Sequence, residues 1–397
     1  MRLKSEAIKK LRSRLLNAWW RQFGVPAPTG RCLDSPIDFC LEEPTRQSYP
    51  RRTMCGATDQ VDHAVESLIS TGLLNEADRN WNGESTIDYP QGGIALLEQG
   101  SVISRQGVLL APKHGVLENL GGGSLASISG VGTSFTHLPR PRRIDGNVLV
   151  MTRGLAQRNY YHWTFEMLSQ LRLVEQAGVS FDYVAAPKRH AFALESLQLL
   201  GIERSQILPM GRYTHIQATQ LIVPSVACYY PQPAGVDYLR EKMQFQSWSH
   251  YEHDKRIKLY IARRRHSSRH IVNDAELFAA LKPLGFRQVY LEDLPLKKQI
   301  QLFQQASVVV GPHGAGLSNL VYSRPGTAIF EITPTCRPPL FFHYLAEINA
   351  LRYAVYFGQP VGQRGVDANI RVDVPQMRQQ LTNFLEQTDG DYSQAAA

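Results

Sequence analysis

Three groups of residues have the types and spacing to do chemistry. Ser307-Val-Val-Val-Gly-Pro-His313-Gly-Ala-Gly-Leu-Ser-Asn319 begins as a run of β-branched residues, which reads as a buried strand. It breaks at Gly311-Pro312, and a glycine turn opens a predicted helix over 316–321. Glycines let the backbone approach a ligand, and free amides at a helix start face it, a geometry suited to a nucleotide diphosphate. The spacing of Gly311, Gly314 and Gly316 matches neither G-x-G-x-x-G nor the P-loop, which argues against NAD or ATP. The alternative is a tight turn that needs small residues. His162 and Glu166 lie four apart on a predicted helix and so share a face. Either is of a type to act as a general base, or the two form a structural pair. Arg263, Arg264, Arg265, His266 and Arg269 follow a predicted strand. Guanidiniums bind phosphate oxygens in bidentate fashion without losing charge, although Arg264 and Arg265 also read as a solvated run.

These residues fall in three blocks that, in order, resemble the signature of the family 61 glycosyltransferases, in the form found in bacterial capsular polysaccharide-biosynthesis proteins. The blocks are Asn159-Tyr-Tyr-His162-Trp-Thr-Phe-Glu166, Leu259-Tyr-Ile-Ala-Arg263 continuing to Arg269 and Asn273, and Val310-Gly-Pro-His313-Gly-Ala-Gly-Leu-Ser-Asn319 ending in Pro325-Gly326 and Phe330-Glu331. The resemblance implies an inverting, metal-independent transfer of a sugar from a nucleotide-sugar donor, UDP-linked above all, to a glycan or glycolipid acceptor in polysaccharide biosynthesis. It implies Glu166 as the base, with His162 orienting it or touching the donor. It implies Arg263, Arg269 and Asn273 as donor contacts, and His313, Gly314, Ala315, Gly316, Ser318 and Asn319 as the turn that receives the diphosphate. Glu331 takes the ribose hydroxyls by the same reasoning. Glu166 stands where the family often has Asp, and the loop to Arg269 is slightly longer than the pattern. No cofactor is expected beyond the donor, and no metal. The Asp-x-Asp motif at Asp389-Gly-Asp391 lies in the tail rather than after a strand. Two rival readings are a dinucleotide-dependent oxidoreductase and a catalytically inactive carbohydrate-binding homologue.

To position these residues the chain needs alternating strands and helices. Strands are predicted over 147–153, 183–186 and 221–226, with helices over 160–177, 190–200 and 236–253. A second alternation puts strands at 258–263, 288–291, 307–310, 328–332 and 353–357, with helices at 274–281, 296–305, 316–321 and 340–349. Asn273 reads as the cap of the helix at 274. Such alternation implies parallel sheets with helices on both faces. The resemblance implies a GT-B-type α/β fold, two Rossmann-like domains facing a cleft, with an N-terminal extension. The expected division is a basic amphipathic helix at 1–24, an extension plus acceptor-side domain at 25–235, a nucleotide-sugar domain at 250–372, and a closing helix and tail at 373–397. Residues 92–145 read as hairpins, and 61–74 as a helix.

The formal net charge of +8 is concentrated at the start, where seven basic residues within 1–21 face Glu6 alone. The rest is nearly neutral, which argues against a nucleic-acid surface. A basic amphipathic helix closed by Trp19 and Trp20 suits an anionic membrane surface or a docked structural helix. Five scattered cysteines without C-x-x-C predict a reduced, cytoplasmic protein without a zinc site. No apolar run is long enough to span a membrane, and the N-terminus lacks the apolar region of a secretory signal.

Overall fold

The computed structural model describes residues 92–112, 137–225, 230–243, 256–265, 268–334, 340–362 and 367–395, with short stretches before residue 92 and at 115–117. The expected helix at 61–74 lies outside the described residues, as does most of the basic helix at 1–24. Of that helix Leu15 and Trp19 are described, both helical and exposed. Among the described residues no helix is long and apolar enough to cross a membrane. The chain forms two compact units, residues 1–45 with 88–238 and residues 46–87 with 239–397.

The first unit is built on a ten-stranded sheet. Its strands include β1 (Gly92–Glu98), β2 (Ser101–Ile103), β3 (Val108–Ala111), β4 (Gly115–Leu117) and β5 (Arg142–Val150). After β5 come helix α1 (Leu171–Gln176), β6 (Tyr183–Pro187), α2 (Ala191–Leu199), β7 (Ile207–Met210), β8 (His215–Pro224) and α3 (Pro233–Lys242). The helix expected at 236–253 begins earlier, at Pro233, and its part beyond 243 lies outside the described residues. Strands β7, β6, β5 and β8 run parallel in that order, and β1 and β2 pair antiparallel with β8. The hairpins expected at 92–145 are therefore part of the main sheet rather than a separate small one. In chain order the parallel strands read third, second, first, fourth, so the winding reverses between β5 and β8. The long strands are interrupted together. β5 shifts register between Ile144 and Asn147, the Gly146 amide donates to Thr219 Oγ1, and the Gln99 amide donates to Thr219 O. Beyond this line the turn after β2 reaches the carboxyl end of β7, where the Arg105 amide donates to Gly211 O. Gly107 closes that turn at φ 69°, and a Cβ there would lie 2.0 Å from Thr152 O.

The second unit holds a six-stranded sheet. In chain order its elements are β9 (Ile257–Ile261), α4 (Asp274–Leu281), β10 (Phe286–Val289), α5 (Leu296–Gln305), β11 (Ala306–Pro312), β12 (Ala328–Pro334), α6 (Leu340–Ile348), β13 (Arg352–Val361), β14 (Asn369–Arg371) and α7 (Val374–Ala395). The order across the sheet is β10-β9-β11-β12-β13-β14, parallel except for β14. This is a doubly wound order whose winding reverses between β9 and β11, and ligands of open α/β sheets bind at such points, beyond the carboxyl ends. One face is covered by α4 and α7. Leu277 and Leu281 of α4, and Met377, Leu381 and Phe384 of α7, pack on Tyr260, Val310 and Phe330. The helix expected to close the molecule from 373 onward thus completes this unit's own core. Its apolar residues recur at the helical period, which fixes the face it buries.

Candidate functional site

In the first unit the sequence block around His162 is not one helix. Asn159 caps its start by accepting from the Tyr161 amide at 2.9 Å, as the sequence suggested. Tyr160–His162 is α-helical, Trp163–Met167 is a π-turn, Leu168–Gln170 is 3-10, and α1 follows. The side chains of Thr164 and Ser169 contribute by donating back to the carbonyls of Tyr160 and Phe165, bonds that bend helices. Such π-turns occur frequently at functional sites. The widened turn sets residue i+4 nearly above residue i, and here His162 Nδ1 is hydrogen-bonded to Glu166 Oε1. The side chains are 6% and 16% exposed, so the carboxylate is the more accessible half. Trp163 is core, with its indole donating to Ser196 Oγ at 2.8 Å.

Arg153, which the sequence reading missed, follows β5 and donates through Nη2 to Pro224 O at the end of β8, 3.2 Å away. It therefore spans the point where the winding of this sheet reverses. Burial lowers its pKa to about 10, and the Glu166 carboxylate acts in the opposite sense. Its position at a strand end, like that of Arg263, was the available signal.

In the second unit Arg263 follows β9 and crosses to the turn after β11, donating through Nη1 to His313 O at 3.1 Å. A Cβ at position 314 would lie 2.0 Å from that nitrogen, so a larger residue there would displace the guanidinium. Ala315 and Gly316 open a 3-10 helix, Ala315–Tyr322, in place of the expected α-helix. Their amides take no backbone partner among the described residues. The switch point of this sheet thus presents a guanidinium and two amides together.

Glu331 is not at the surface. Its side chain is fully buried, with one oxygen on His313 Nδ1 and the other accepting from the Tyr353 hydroxyl at 2.5 Å. The expected ribose contact is replaced by a positioning role toward His313, which is itself buried against Phe342. Burial, the Glu331 charge and the hydrogen bond to it together push the Tyr353 hydroxyl pKa well above its usual value. Ser318 and Asn319 also turn inward. Asn319 ties the 3-10 helix to α5 through Gln299 Oε1 at 3.1 Å.

Arg269 sits at φ 59° and pairs with Asp367 at 2.8 Å. Its pKa is lowered by burial, against which Asp367 and Glu331 act, so it lies in the field of the same buried carboxylate. Asn273 occupies the cap position of α4 without capping it. Its amide exchanges two hydrogen bonds with the Val372 backbone, at 2.8 and 3.1 Å, and pins the arginine loop to the segment after β14. Arg264 pairs with Asp293 at 2.5 Å and lies over Tyr290, in keeping with the solvated reading. Beside Arg263 a cleft of about 560 Å³ is lined by Val272, Asn273, Phe278, Gln288 and Tyr290. Among the described residues no group of three or more His, Cys, Asp or Glu side chains is placed to hold a metal.

Residues 160–330 match the family model described as Glycosyltransferase 61. The chain is 29% identical over 105 residues to an EGF domain-specific O-linked N-acetylglucosamine transferase of Drosophila melanogaster, covering 26% of this chain and 20% of that protein. It is 31% identical over 110 residues to a beta-1,2-xylosyltransferase of Arabidopsis thaliana, covering 24% of this chain and 21% of that one. The chain thus spans about a fifth of the length of the curated relatives it matches. A dodecameric iron-containing heptosyltransferase superposes with a TM-score of 0.32 at 11% identity, covering 75% of this chain and 94% of that one, too loosely to equate the folds. The matched stretch, residues 160–330, holds His162, Glu166, Arg263 and His313, with Arg153 and Glu331 just outside it, so over this stretch the chain is similar to the glycosyltransferase 61 family.

Proposed function

We propose that the protein is an inverting glycosyltransferase of GT-B type. It moves a sugar from a nucleotide donor, most simply a UDP-sugar, to a glycan acceptor. The observation that carries this reading is Arg263 laid across the Gly314 turn at the switch point of the second sheet, inside the family match. Departure of a nucleoside diphosphate builds charge on its terminal phosphate. A fixed guanidinium and oriented amides stabilise that charge without reorganising. In this reading the cleft of about 560 Å³ beside Arg263 receives the nucleoside. Inversion needs one base to take the proton of the attacking hydroxyl, and Glu166, oriented by His162 and facing the charge of Arg153, is assigned that role. Arginines supply the positive charge on the diphosphate, so turnover is expected to persist without a divalent ion.

Mass spectrometry of products, after incubation with UDP-sugars and glycan acceptors with and without excess EDTA, tests this. Sugar addition that survives EDTA is expected. Loss of all turnover in EDTA with recovery in Mn²⁺ would reverse the metal claim. Reduction of a nicotinamide cofactor, or binding of glycans without transfer, would favour the rival readings.

A further inference from the structure

The first unit carries a second cationic centre that the proposed chemistry does not use. Arg105, Gln157, Pro187, Lys188, Arg189, Met210, Gly211 and Arg212 line a cavity of about 350 Å³. It opens where β6 and β7 end, at the carboxyl edge of the parallel strands, the edge at which open α/β sheets hold ligands. Four of its lining residues are cationic, and no acidic residue is among them in the described part of the chain.

The convergence is built by the fold. Arg105 is distant in sequence from the other three and arrives on the turn after β2. That turn is fixed by the Arg105 amide on Gly211 O, by Thr152 Oγ1 donating to Arg105 O at 2.9 Å, and by Gly107 pressed against Thr152 O. The charges oppose one another. The Arg105 pKa is lowered by burial and by Arg212, Arg189 and Arg158, against which Tyr213 acts. The pKa of neighbouring His190 is lowered by burial, Arg189 and Arg105. Like charges held together are costly, and an anion bound among them relieves that cost.

We propose that this cavity is a binding site for a phosphate or diphosphate group, and that it holds the phosphate of the acceptor. The second clause rests on the glycosyltransferase reading; the first does not. Several guanidiniums suit a doubly charged, multidentate group better than a single carboxylate.

Calorimetry of the full chain with inorganic pyrophosphate tests the site. Arg263→Ala removes the expected donor site, so one remaining pyrophosphate per chain is predicted in that variant. Adding Lys188→Gln and Arg189→Gln, both exposed, should weaken that remaining binding at least tenfold. The pair alone should leave UDP affinity unchanged. Binding should also raise the proton affinity of neighbouring His190, which burial, Arg189 and Arg105 lower, visible as a buffer-dependent heat. Unchanged pyrophosphate affinity in the combined variant, or tighter binding of glucuronate than of phosphate, would overturn the site. Glucose 6-phosphate and farnesyl diphosphate separate a phosphorylated glycan from a lipid diphosphate as its source. If UDP fails to bind the wild type while pyrophosphate still binds at Lys188 and Arg189, the donor reading fails and the anion site stands.

Discussion

The molecule holds two histidine–glutamate pairs joined through the same atoms, Nδ1 and Oε1, and they are built in opposite ways. His162 and Glu166 are neighbours on one turn, held by local geometry, with the carboxylate partly open. His313 and Glu331 are 18 residues apart on different elements, with the carboxylate sealed and its second oxygen taken by Tyr353. A carboxylate that must accept a proton from a substrate needs access and a spare oxygen. A carboxylate that must hold a neighbour needs neither. On the proposed function the same pair of residue types would serve as reactive group in one unit and as brace in the other.

The comparison breaks first at Glu166. Glu166→Gln keeps the size and removes the basicity, and turnover should fall roughly 10²–10⁴-fold with donor affinity nearly unchanged. A larger loss from His162→Gln would swap the two roles. Near-normal turnover in both variants would remove the base from this turn. Stability should show the reverse contrast. Glu331→Ala leaves His313 and Tyr353 without their shared acceptor in the core, and should cost about 3–5 kcal/mol. Glu166→Ala, at the partly open carboxylate, should cost less than Glu331→Ala. Calorimetric melting of both variants checks this, and equal losses would erase the distinction. A third effect is expected on binding at the turn that the second pair braces. Arg263→Ala should weaken UDP by about 1.5–3 kcal/mol, the range for a charged hydrogen bond. Unchanged UDP affinity by titration would remove the diphosphate from this position.

The two pairs were not equally legible. His162 and Glu166 could be read as partners because a helical spacing puts them together. The link from Glu331 to His313 and Tyr353 leaves no local pattern, so its position at a strand end suggested exposure. Strand-end arginines and the glycine turn were visible as local signals, and the parallel sheets followed from the alternation of elements. The fold-back of the turn bearing Arg105 was not visible. It depends on breaks at Gln99, Gly146 and Thr219 lining up across strands that are far apart in sequence. Helix α7 was found at nearly its true place, but only tertiary structure shows which sheet receives Met377, Leu381 and Phe384.

The π-turn at Trp163–Met167 bears on how such a centre can arise. A π-turn is what an α-helix becomes when one residue is inserted and both ends stay where they were. Here the ends are held independently, by the Asn159 cap on one side and by buried Leu171, Leu173 and Val174 on the other. A single codon gained between them would have turned Glu166 about the axis without moving the scaffold. Removing one would turn it back. The proposed base and the core it stands on can thus change by separate genetic steps.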